Sequence, residues 1–102
     1  MSAPGADVRW VVLHAPGPAW QPGQPPFEQP GIGAHVAHYR TWLASGALAM
    51  GGPFLDGAGG GMMITAGDVG EDQVRAFAAA DPAVVAGLLT VDVRRWLIGM
   101  HA

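Results

Sequence analysis

Six of the chain's nine prolines fall between Ala15 and Gly33, in APGPAWQPGQPPFEQPGIG. Proline fixes φ and removes a backbone donor, so this stretch can be neither a long helix nor a central strand. It is therefore a loop, residues 15–33, too long to be a simple turn. A structureless loop of this length in a compact domain is uncommon and is often a functional flap. Trp20 and Phe27 are large apolar groups inside it. Either they pin the loop to the body, or one or both wall a ligand pocket.

The rest of the chain must build its fold around that loop. With 102 residues, half of them hydrophobic, it has material for one domain, residues 1–102, with one modest core. Residues 1–6 (MSAPGA) read as a loose tail. Only 13% of residues are charged, which implies that a second copy covers part of the surface. The net charge of −3 argues against nucleic acid, which needs a basic patch. The absence of cysteine excludes disulfides and thiolate chemistry. No apolar run is long enough to span a bilayer, and the opening residues lack the pattern of a signal peptide. A cytoplasmic protein without membrane contact is the expectation.

Periodicity places the elements. Val8–His14 is rich in β-branched and aromatic residues and reads as a first strand buried on both faces. From Gly33 or Ala34 to Ser45 the pattern is helical, with Val36, Tyr39 and Leu43 as its inner face and Gly46 as its stop. Ala47–Gly52 and Gly61–Ala66 read as strands joined by a glycine-rich connection. That connection is no phosphate loop, because it lacks Lys-Ser/Thr and leads into a strand. Residues 68–80 read as a second helix with Val74, Phe77 and Ala78 inward. Asp81-Pro82 starts a short extra helix. Leu88 to about Met100 is the last strand, and its mixed parity predicts a bulge near Arg94-Arg95. The order strand, helix, strand, strand, helix, strand is the ferredoxin-like α+β pattern, an antiparallel sheet with both helices on one face.

Two residues in this layout can carry chemistry. His35 opens the first helix, and a neutral imidazole there can act as a general base. Asp81 precedes Pro82 as an N-cap, where backbone N–H groups favour the ionised carboxylate. Locally each is an ordinary surface or capping residue. A fold that joined the two helix starts would build an oriented base. His38, three residues after His35, could share a metal with it and a third ligand, but no Asp or Glu completes a metal motif. Neither a metal nor another cofactor is expected.

The segments HVAHYRTWLASGALAMGGPF and AADPAVVAGLLTVDVRRW, with the proline-rich stretch, resemble the YCII-related family. The matching positions are His35, Gly46, Gly52-Pro53, Asp81-Pro82, Gly87 and Trp96, and the resemblance covers roughly residues 8–98. It implies a ferredoxin-like fold paired as a dimeric α/β barrel, and a His–Asp pair at an active site. It also implies turnover of small molecules, including elimination on ring compounds. His38 departs from the family, in which this position is often apolar or aromatic.

The expected catalytic residues are thus His35 and Asp81, with His14, Trp20, Phe27, His38, Met50 and Pro53 binding substrate. The reaction would be a proton transfer, isomerisation or elimination, on a small organic molecule within a homodimer. The alternative is a non-catalytic module that binds or senses a metabolite in the same cleft.

Overall fold

The computed structural model describes residues 6–102. Most of the expected tail, residues 1–5, lies outside the described residues. Four strands form one sheet: β1 (Asp7–Pro16), β2 (Leu48–Pro53), β3 (Gly61–Thr65) and β4 (Leu89–Ile98). Their order is β2-β3-β1-β4, antiparallel throughout. β1 takes a central place between β3 and β4. The helices α1 (Ile32–Ser45), α2 (Glu71–Ala79) and the short α3 (Pro82–Val85) complete the α+β ferredoxin-like arrangement, with the helices on one face.

The β1–β4 register runs unbroken from Asp7↔Ile98 to Pro16↔Leu89, so the bulge expected near Arg94-Arg95 is not there. Leu89, Val91 and Val93 share the helix-covered face, paired with Pro16, His14 and Val12. Trp96, paired with Arg9, lies on the opposite face. The parity changes because Trp96 stands on that second face, in line with Asp92 and Arg94, not because a residue is inserted. The irregularity falls instead in β2, between Leu48 and Met50.

α1 runs from Gly31 (φ 91°) to Gly46 (φ 84°), and both turns need the left-handed backbone that glycine adopts freely. Its buried stripe is His35, Tyr39 and Trp42 rather than the expected Val36, Tyr39 and Leu43. Tyr39 and Trp42 join Val12, Leu48, Val69, Val74 and Ala78 in the main core. Phe77 of α2 stacks on Trp42 at 3.9 Å and on His38 at 3.8 Å, which clamps α1 to α2. α2 starts later than expected, at Glu71, because Val69 is buried and its carbonyl accepts the Trp10 indole N–H at 3.0 Å. That bond holds residues 68–70 outside the helix.

The proline-rich loop is ordered by an unforeseen residue. The side chain of buried Gln29 accepts from the Gln21 N–H at 2.8 Å and donates to the carbonyls of Gln21 (2.8 Å) and Gln24 (3.0 Å). Amide groups that proline-rich backbone cannot pair in a ladder find partners here instead. Gly17 and Ala19 tie the loop's start to the carbonyls of Leu88 and Gly87, each at 2.9 Å. Among the described residues no helix is long and apolar enough to cross a membrane.

Candidate functional site

His35 sits in the first turn of α1, and Asp81 caps α3 from the residue before Pro82. Asp81 Oδ1 accepts the Ala83 N–H at 2.9 Å, the ordinary work of an N-cap. Its other oxygen, Oδ2, lies 2.6 Å from His35 Nδ1. The two helix starts therefore meet through one carboxylate, which has no solvent exposure.

This geometry fixes the proton. Burial by itself would raise the Asp81 pKa. The His35 hydrogen bond, the Ala83 amide and the nearby imidazoles outweigh that and hold it below the usual carboxylate value. An ionised carboxylate only accepts, so His35 Nδ1 carries the hydrogen and donates it. His35 Nε2 then bears the lone pair. That atom has no partner among the described residues, and His35 lines an open cleft.

The cleft has a volume of about 270 Å³. That is near the lower end of ligand pockets, roughly 300–1,000 Å³, and suits a molecule of about one ring. Phe27, Ile32, Val36, Leu48, Pro53 and Met63 give it apolar walls. Gly51 leaves room for the Met63 wall, since a Cβ there would collide with the Met63 sulfur.

His14 comes from the end of β1 and is also buried beside the pair. Its Nε2 lies 3.7 Å from Asp81 Oδ2 and 3.4 Å from the Tyr39 hydroxyl. Burial, aided by the closeness of the His35 imidazole and opposed by Asp81, lowers its pKa from 6.5 to about 4. It is therefore a neutral ring at physiological pH. Burial and then the Asp81 charge raise the Tyr39 phenol, which stays protonated. His14, His35 and Asp81 each present a donor atom within 4.8 Å of the others, a set that could hold a divalent cation.

The structure brings His14, Phe27, His35 and Pro53 into the cleft, with Asp81 directly behind His35. It leaves out Trp20, His38 and Met50. Trp20 packs against Ala83, Leu88 and Leu89 and pins the loop, while Pro26 and Phe27 of the loop line the cleft. His38 turns toward α2 and donates from Nε2 to the Phe77 carbonyl at 2.7 Å. Three residues advance a helix by 300°, so His35 and His38 need not share a target. Met50 is exposed on β2, and Met63 takes the wall position. Sequence reasoning missed Ile32, Met63 and Arg40 as lining residues. Arg40 carried a signal, since it falls between Val36 and Leu43 at helical spacing.

The model of the YCII-related domain family matches residues 8–97. No curated protein matches the chain. Among solved structures, it is similar to 5-chloro-2-hydroxyhydroquinone dehydrochlorinase from Burkholderia phenoliruptrix AC1100, in complex with 2,5-dihydroxybenzoquinone. The TM-score is 0.65 and the identity 23%, over 92% of this chain and 95% of that one. At that identity the likeness speaks for the fold alone.

Proposed function

The chain belongs to the YCII-related domain family, and on that footing we propose that it is a small cofactor-independent enzyme that moves protons with a His35–Asp81 pair. The reaction class is isomerisation or elimination on a small organic molecule. One observation carries this reading: the 2.6 Å bond from His35 Nδ1 to buried Asp81, with Nε2 unpartnered among the described residues in a ring that lines the cleft. The carboxylate fixes the useful tautomer and stabilises the imidazolium formed when Nε2 takes a proton from substrate. The electron pair left on the substrate then collects a proton at another carbon, or it expels a leaving group. The activity of the structural relative, a dehydrochlorination, is of the second kind and supports the class.

We also propose that the protein works as a homodimer, paired through the sheet face that the helices leave open. The low charge content and the apolar residues on that face support this.

The test is chloride release from 5-chloro-2-hydroxyhydroquinone, with uptake of solvent deuterium measured across a panel of cyclic enols and ketones. His35→Ala should lower turnover by about 10²–10⁴-fold, the usual worth of a positioned acid–base group. Full activity in that variant would end the general-base reading. Saturable thermal stabilisation by compounds that are never altered would favour a binding module instead.

A further inference from the structure

The cleft-facing side of α1 contains a charge that the proton-transfer pair does not use. His35, Tyr39 and Trp42 are buried toward the sheet. Val36, Arg40 and Leu43 stand one position further round the helix, and all three line the cleft. Spacings of four and three stack these residues along one face. Val36 and Leu43 supply apolar wall, and Arg40 sits between them.

Arg40 is the only cation among the residues lining the cleft, and no carboxylate lines it. Its side chain is exposed, and no described residue bonds or pairs with it. Other arginines are held: Arg9 by Asp7 at 2.6 Å and Arg75 by Glu71 at 2.8 Å. A positive charge at the mouth of an apolar cleft is felt more strongly than one on an open surface, because low-dielectric walls focus its field.

We propose that Arg40 anchors an anionic group of the substrate, so that the cleft takes a small organic acid. Its ring-sized apolar body lies against Phe27, Ile32 and Met63, and its carboxylate reaches the guanidinium at the mouth. The planar fork of Arg matches a carboxylate with two parallel hydrogen bonds, which a neutral group of the same shape cannot return. The proposal rests on the cleft being the substrate site and adds the class of molecule that it selects.

The experiment compares benzoate with benzamide, a planar pair of nearly equal size differing in charge, in titrations followed by NMR. The wild-type protein should bind benzoate roughly tenfold more tightly than benzamide, and added salt should erode the difference. Arg40→Gln should bring benzoate to the affinity of benzamide, with the thermal midpoint little changed because the residue is exposed. Arg40→Lys should keep part of the preference. Equal binding of the two probes by wild type, no saturable binding of either, or a preference that survives Arg40→Gln would each overturn the proposal. His35→Ala should retain the preference for benzoate, so a failure of the general-base reading shows separately, as unchanged turnover in that variant.

Discussion

His35 Nδ1 and Asp81 Oδ2 are 2.6 Å apart across 46 residues of sequence, and the same carboxylate caps α3 through its other oxygen. The two functions of Asp81 can be separated by substitution. Asp81→Asn keeps an oxygen that can cap Ala83 but removes the charge that stabilises an imidazolium. Turnover should fall by about 10²–10⁴-fold with a modest loss of stability. Asp81→Ala should lose similar activity, plus roughly 1 kcal/mol for the cap and about 1–3 kcal/mol for a buried His35 donor left unpaired. Urea denaturation alongside turnover distinguishes the two. Equal stability of both variants would contradict the dual role.

Much of this arrangement is legible in the sequence, for identifiable reasons. Element order follows from local chemistry: β-branched runs, glycine stops at Gly46, and the Asp81-Pro82 start. Both members of the pair sit at helix starts, which local signals mark well. What sequence does not display is rotation and register. Val36 and Leu43 look like core because they are apolar, yet they wall a cleft, whereas polar His35 takes the buried position. The same rotation sends His38 to Phe77. Met50 and Met63 are equally good wall candidates until the β2–β3 register places one of them in the cleft. Gln29 gives no periodic signal, since its bonds depend on a loop path that exists only after folding.

His14 should make stability depend on pH. An unfolded histidine titrates near 6.5, whereas burial lowers His14 to about 4 in the fold. Between those values the unfolded chain binds a proton that the folded chain refuses. The His14 contribution is therefore complete above about 6.5 and declines as pH falls toward 4, by up to about 3 kcal/mol. Asp81 acts in a lower window: its folded pKa lies below 3.8, so its contribution persists above 3.8 and is lost as pH falls through the folded value. Urea midpoints measured from pH 7 to 4.5 report the first window. His14→Gln should flatten the curve there, and an unchanged slope would assign the proton elsewhere.

The donor set of His14, His35 and Asp81 leads to a prediction about metals. A divalent cation bound there would take His35 Nδ1 and Asp81 Oδ2 out of their mutual hydrogen bond, so zinc should inhibit rather than activate. Treatment with a chelator should leave turnover unchanged, while about one equivalent of zinc per chain suppresses it. His14→Gln removes one donor while both members of the pair remain, and should raise the zinc concentration needed. Loss of activity on chelation, restored by zinc, would show instead that the site works through a metal.

A homodimer would pair through the face of the sheet away from the helices. There Trp96 is 41% exposed and Met62 is 37% exposed. The register puts Val11 and Leu13 of β1 on this same face, Leu13 directly opposite Met62. Asp92 and Arg94 of β4 stand on it too, opposite Leu13 and Val11, so the apolar part is a patch flanked by charge. A patch of this kind suits a homodimer, whose stable pairing needs about 800 Å² per partner. The wild-type chain should sediment as a dimer at micromolar concentration. Met62→Glu places a charge in the apolar part of the face, where burial is costly, and should shift the population to monomer. The Met62 side chain lies across the sheet from the His35–Asp81 pair. A monomeric variant that keeps full turnover would show that each chain's site is complete by itself. Wild-type protein that sediments as a monomer at every concentration would remove the dimer from the account.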